Sequence, residues 1–235
     1  MSQDLESLIS GHFDAMANSP IFPHDLAPED FELKAVLEWS GDVRGRLLLD
    51  VGCAKGRYVA ALSRAGARVI GIDRTWNLLR AASTSQPEHA FVLSTATRLP
   101  FADSSFDGLL CVEVIEHIPE IDHAFTEMAR VLKPGGRAII IDKNLLGIGV
   151  NRLYPNWLYK PVMERLGKWF YPKDFPFRER WFIPSSLRRD LIRHFSHVDI
   201  WYLDGRVQGR RRRLMAPFYR LFPVFRPDAA WCCIK

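Results

Sequence analysis

Three short stretches of this sequence gather residue types that can do chemistry. The first, Leu47 to Gly56, reads LLLDVGCAKG: an apolar run ends in Asp50, then in a turn where Gly52 and Gly56 allow a ligand close to the backbone. Ala54 stands between the two glycines. Its expected backbone has φ below zero, because a methyl group strains a left-handed turn. The second stretch, ARVIGID, ends in Asp73, 21 positions after Gly52, where a carboxylate can accept both hydroxyls of a ribose. The third, VEVIEHIP, supplies Glu113, Glu116 and His117, two carboxylates and an imidazole. Such a set can take a proton or hold a divalent cation. The turn disfavours two common ligands. A nicotinamide site wants G-x-G-x-x-G, and Gly52-x-Ala54-x-Gly56 is one residue shorter; a P-loop wants Ser or Thr after its lysine, and Lys55 is followed by Gly56.

The elements that must position these residues are legible as alternating strand and helix signals. RLLLDVG, ARVIGID, HAFVLST, FDGLLCVEV and RAIIID read as strands, short apolar runs without two-residue alternation, as expected where both sheet faces are covered. Between them RYVAALSRAG, TWNLLRAAS and IDHAFTEMARVLKPGG read as helices. Five strands separated by helices imply a doubly wound α/β sheet, whose ligands bind at the carboxyl ends of the strands. Before this core, LESLISGHFDAMA and PEDFELKAVLEWSG read as helices of a lid over residues 1–45, the second with Pro28 near its start. After it, PSSLRRDLIRHF reads as a capped helix, HVDIWYLD and AAWCCIK as strands. The organisation expected is a single domain over 1–235: lid 1–45, core 46–142, and insertions at 143–183 and 205–228.

Four blocks together, DVGCAKG, GID ending at Asp73, STATRLPFADSSFDGLLCVEVIEHIP and VLKPGG, resemble the class I S-adenosylmethionine-dependent methyltransferases. The resemblance is close over residues 45–142. It implies a Rossmann-like, mostly parallel seven-stranded sheet with an antiparallel C-terminal strand and helical insertions, and S-adenosyl-L-methionine as cofactor. Carried over by position, Asp50, Gly52, Cys53 and Gly56 would line the methionine and ribose end. Asp73 would bind the ribose diol, Arg74 would lie against the adenine, and Glu113 would stand beside the cofactor. Thr95-Ala96 replaces the family's Asp-Ala pair at the adenine; a hydroxyl there still accepts a bond, and the Ala96 N–H is unaffected. His117 is the candidate base for an oxygen nucleophile, against the alternative that it only packs locally. Glu113, Glu116 and His117 also match the E-x-x-E-H of ubiquinone-pathway O-methyltransferases, where a divalent metal can be held. The same letters occur in relatives without one.

The net charge of +5 is unevenly spread. From Leu145 onward there are 18 Lys and Arg against 7 Asp and Glu, and five of the seven tryptophans; the remainder has 14 against 20. From Asn156, apolar Trp157, Leu158, Val162, Leu166, Trp169 and Phe170 recur at helical spacing among Lys160, Arg165 and Lys168, the composition of a helix lying in a membrane interface. Arg210, Arg211, Arg212 and Arg213 then precede Phe218, Tyr219, Phe222 and Phe225. Anionic headgroups suit both segments. A lid over an apolar or lipid-linked small molecule is the alternative, and nucleic acid is less favoured, since no N/D-P-P-Y/F segment follows the fourth strand to receive a flipped base. The four cysteines have no zinc-type or disulfide-scaffold spacing, and the first ten residues do not read as a secretory signal, so a cytoplasmic setting, with contact to the inner membrane face, is expected. A non-catalytic relative that binds the nucleoside is a further alternative, ranked last because the glycine turn and Asp73 are both intact; oligomeric state is not readable.

Overall fold

A computed structural model of the protein describes residues 2–27, 29–148, 154–207 and 209–235. Pro28, the expected start of the second helix, and residues 149–153 of the first insertion lie outside them. In chain order the elements are α1 (Ser2–Met16), α2 (Phe31–Ser40), β1 (Leu47–Val51), α3 (Arg57–Arg64), β2 (Arg68–Asp73), α4 (Trp76–Ser85), β3 (Ala90–Leu93) and β4 (Phe106–Val112). A 3-10 turn (Ile115–His117), α5 (Ile121–Val131), β5 (Leu132–Lys143), α6 (Asn156–Arg165), α7 (Pro184–Leu191), β6 (His197–Leu203), α8 (Gly209–Leu221), a 3-10 turn (Pro223–Phe225) and β7 (Asp228–Ile234) follow.

The seven strands form one sheet in the order β3-β2-β1-β4-β5-β7-β6. β7 is antiparallel to both its neighbours and the other pairings are parallel, the expected architecture. Because β1 leads outward to β2 on one side while β4 lies on the other, a crevice opens beyond the carboxyl ends of β1 and β4. Both faces are covered. Leu109 and Cys111 of β4 join a core with Phe106, Phe125, Met128 and Trp231. Leu110 and Val112 join the opposite core with Val59, Leu62 and Ile139.

Two helices stop earlier than their patterns suggest. α5 ends at Val131, and Leu132 already pairs with Phe106 of β4. Pro134 cannot donate within a helix and Gly135 takes φ +74, so KPGG becomes a bulge at the start of β5. α6 ends at Arg165, and Gly167 (φ +63) turns the chain. Trp169 and Phe170 therefore leave the helix and fold back against the core, and the expected continuous stripe from Trp157 to Phe170 does not form.

The N-terminal helix and the first insertion meet over the crevice. Ile9 of α1 is buried with Tyr171 and Phe177, and the Phe13 ring lies 5.2 Å from Phe170. α1 is also tied to the core where Asp14 accepts the Asn77 N–H at 2.8 Å.

Candidate functional site

The turn after β1 carries three left-handed residues in alternation: Gly52 at φ +75, Ala54 at +47 and Gly56 at +79. A Cβ on Gly52 would stand 2.3 Å from Val114 Cγ2, so only glycine fits. The expectation for Ala54 was wrong: its φ is positive. This conformation costs about 1–2 kcal/mol for a residue with a side chain. The Ala54 N–H is fixed by a 2.9 Å bond to Asp73 Oδ2, and the Gly56 N–H bonds the Cys53 carbonyl at 2.8 Å, which hold the turn against that strain.

Asp73 accepts a second backbone bond, from Thr75 N–H at 2.8 Å to Oδ1. The Thr75 side chain bonds it as well, which leaves the carboxylate about one of its roughly four acceptor sites for a ligand hydroxyl. Gly52, Cys53, Ala54, Asp73, Arg74, Thr95, Ala96, Glu113 and His117 all line one cavity of about 480 Å³ at the carboxyl ends of β1, β2 and β4. Two residues named from the sequence stand apart from its wall. Asp50 is buried beneath the turn, with Oδ2 lacking a partner, and burial pushes its carboxyl up to about 7. Gly56 caps α3, where a Cβ would press into the Phe91 ring at 2.8 Å, so its part is packing. Arg74 lines the cavity but spends its guanidinium on α1, donating to the Glu6 carbonyl at 2.6 Å and Ser10 Oγ at 3.0 Å. The Thr95 hydroxyl pairs with that of Thr97 at 2.9 Å.

Beyond β4 lies a buried ion network. Glu113, itself left-handed at φ +57, meets Lys143 at 3.1 Å and bonds Arg206. Lys143 also bonds Glu116, and Arg206 reaches Asp228 at 2.6 Å and Glu32 at 3.2 Å. Burial opposes the charge on Glu113, but Lys143 and Arg206 outweigh it and hold the carboxyl at about 2. Glu116 is likewise held low by Lys143 and His117 against its burial. Glu32 goes the other way: burial, then the nearby Glu113 charge, pushes it up to about 7 despite Arg206 and Arg57. Lys143, Arg206, Glu32 and Glu179 were not identified as site residues from the sequence. The one local signal was a lone lysine, Lys143, directly after the apolar run RAIIID.

His117 sits at the junction of these parts, its ring packed by Phe13 at 5.0 Å and Phe170 at 5.2 Å. Nδ1 is 3.1 Å from the Tyr171 hydroxyl, and Nε2 is 3.3 Å from Glu116 Oε1. The metal set read from the sequence is not assembled, because Glu113 turns to Lys143 and Arg206. Glu116, His117 and Glu179 do gather, with ligand atoms within 4.8 Å of one another. Lys143 already neutralises Glu116 there, and Glu179 Oε2 accepts the indole N–H of both Trp169 (3.0 Å) and Trp181 (3.1 Å). Donors so committed do not fit a resident divalent ion.

Residues 49–140 match the family described as a methyltransferase domain. Among curated proteins, the chain is 35% identical over 126 residues to a ubiquinone biosynthesis O-methyltransferase of Alkalilimnicola ehrlichii, covering 52% of this chain and 50% of the relative. It is 41% identical over 105 residues to the methyltransferase GfsG of Streptomyces halstedii, covering 42% and 38%. The matched stretches thus span about half or less of these relatives. Among solved structures, a phosphoethanolamine N-methyltransferase of Haemonchus contortus in complex with S-adenosyl-L-methionine aligns with a TM-score of 0.65 at 17% identity, over 97% of this chain and 57% of that one. The [4+2]-cyclase SpnF aligns at 0.64 and 18%, over 99% and 94%. The fold is that seen in S-adenosylmethionine-dependent methyltransferases, and residues 49–140 are similar to a methyltransferase domain. SpnF, named as a cyclase, shows that the fold alone does not fix the reaction.

Proposed function

We propose that the protein methylates an oxygen of an apolar or lipid-linked small molecule, using S-adenosyl-L-methionine, with His117 as the base. The observation that carries the reading is the convergence of the glycine turn, Asp73 and the Glu116–His117 pair on one cavity. The residues present fit this cofactor. Gly52 lies on the cavity wall at φ +75, a conformation glycine takes without strain, and Asp73 lines the same wall with acceptor capacity left for a hydroxyl. When bound, the cofactor supplies a methyl group on a positively charged sulfur. Gly52, Ala54, Asp73, Thr95 and Ala96 hold and orient it, while Phe13, Phe22 and Phe170 keep water from the reacting end.

His117 handles the proton. With Nε2–H donated to the ionised Glu116, Nδ1 carries the lone pair that takes the acceptor's hydroxyl proton, in the place the Tyr171 hydroxyl fills at 3.1 Å. The ionised Glu116 beside it stabilises the imidazolium, as the acceptor oxygen gains the methyl group. The test is calorimetry with S-adenosylhomocysteine, followed by labelled methyl transfer to small-molecule extracts. No S-adenosylhomocysteine binding overturns the cofactor reading. A His117→Gln variant that retains full turnover and the basic limb of the pH profile overturns the base.

We also propose peripheral docking on an anionic membrane, because α6 is built inside out. Asn156 and Lys160 face the protein, with Lys160 paired to Glu164 at 2.5 Å, while Trp157, Leu158, Val162 and Leu166 are exposed. α8 is joined to the start of this segment through the Tyr219 hydroxyl, which donates to the Ile148 carbonyl, and the 3-10 turn after α8 through Asn144, which donates to the Val224 and Arg226 carbonyls. It exposes Leu214 and Leu221 among its arginines. Apolar side chains beside arginines suit acyl chains and headgroups, at about 1 kcal/mol per basic residue near such a surface. Among the described residues no helix is long and apolar enough to cross a membrane. Background co-sedimentation with phosphatidylglycerol vesicles overturns the docking. Salt-sensitive RNA binding through Arg210–Arg213 revives the nucleic-acid alternative.

A further inference from the structure

A second cavity, of about 330 Å³, lies behind the first. The two share four wall residues: Lys143, Phe170, Glu179 and Arg206. Its remaining walls are Trp169, Trp181, Pro227, Asn156, Lys168 and Asp228. The main cavity is at the small end of the ~300–1,000 Å³ range for a single ligand, so cofactor and acceptor together call for further space. The second cavity provides it beside the reacting groups. Phe170 lines both cavities and packs on the His117 ring, and Glu179 groups with His117 and Glu116.

The chemistry of these walls is specific. Both indole N–H groups are spent on Glu179, so Trp169 and Trp181 present carbon surface to the cavity. Of the three cations, Arg206 and Lys143 are held by the buried carboxylates already described. Lys168 has no carboxylate partner among the described residues. An occupant therefore meets apolar aromatic walls, the carboxylates Glu179 and Asp228 already bonded by the two indoles and by Arg206, and, on the exposed side, the ammonium of Lys168.

We propose that this second cavity is the acceptor subsite, and that it takes a molecule with an apolar body and an anionic group, the body against Trp169, Phe170 and Trp181 and the anion on Lys168. The acceptor's hydroxyl then reaches His117 past the Phe170–Glu179 partition. This rests on the methyltransferase reading and names the substrate class for it: an acidic amphiphile rather than a neutral or cationic one. The body has two sources, an aromatic ring system or an alkyl or isoprenoid chain, and both present the same phosphate or carboxylate chemistry.

The test uses the full chain saturated with S-adenosylhomocysteine and titrated with 1-naphthyl phosphate, decyl phosphate, 1-naphthol and decanol, followed by calorimetry and tryptophan fluorescence. The expected result is one phosphate probe per chain, bound without displacing S-adenosylhomocysteine, and roughly tenfold weaker in Lys168→Gln, as the loss of one charge-assisted contact implies. The two alcohols bind equally to both proteins. The tighter phosphate names the source of the body. Phosphates that do not bind, that compete with S-adenosylhomocysteine, or that ignore Lys168→Gln overturn the subsite. So does loss of binding in Leu166→Glu, which places the probe on the outer face of α6. If S-adenosylhomocysteine itself fails to bind, the methyltransferase reading falls instead.

Discussion

α3 and α6 are both short helices, and they solve the burial problem in opposite senses. α3 turns Tyr58, Val59 and Leu62 inward and leaves polar residues outside. α6 turns Asn156 and Lys160 inward and leaves Trp157, Leu158, Val162 and Leu166 outside. The first arrangement stabilises a folded chain in water. The second gains nothing from water, so the two helices separate what this chain needs in order to fold from what it presents outward.

The contrast is sharpest in energetics. Arg206→Met leaves Asp228 without its cation and Glu113 and Glu32 with only Lys143 and Arg57, and a loss of roughly 3–5 kcal/mol in urea unfolding is expected. Leu62→Ala in α3 is expected to cost roughly 2–5 kcal/mol by the same measurement. A loss below 1 kcal/mol would mean the inward face of α3 is not a packed one.

Asp50→Asn tests the buried acid under the turn. The folded carboxyl sits at about 7 against an ordinary 3.8, so the folded state holds its proton more tightly. Its stabilising share is complete at low pH and is lost as pH rises from about 4 through about 7. The variant is therefore expected to match the wild type at acidic pH and to exceed it at pH 8, by roughly 1–3 kcal/mol. Equal stabilities across a thermal-melt pH series would sink this. Ala54→Gly relieves a left-handed residue and is expected to stabilise by about 1 kcal/mol. Leu166→Glu on the outer face of α6 is expected to move stability by less than about 0.5 kcal/mol. The same variant is expected to abolish vesicle binding, and a large stability loss would instead make α6 an ordinary packed helix.

The parts legible in the sequence were those written locally. Each strand and its following turn are contiguous, so DVGCAKG and Asp73 announced the cavity, and the apolar runs announced the sheet. The ion network was not legible, because Glu32, Glu113, Lys143, Arg206 and Asp228 come from five separate segments that only the fold brings together. The stripe from Trp157 to Phe170 misled for a related reason. Helical spacing continues through it, while Gly167 ends the helix and sends Trp169 and Phe170 to the cavities. Ala54 misled because its φ is imposed by a bond to Asp73, nineteen residues away.

Arg206 has a consequence for how this domain travels. It enters from the segment after β6, yet bonds Glu113 at the end of β4, Glu32 of α2 and Asp228 at the start of β7. The family match ends at residue 140, before either Lys143 or Arg206. A fragment cut to the matched boundary would keep the acids Glu113 and Glu116 and leave behind the cations that neutralise them. The matched stretch of this chain is thus not electrostatically self-contained. Residues 49–140 and the C-terminal third must be expressed and engineered together.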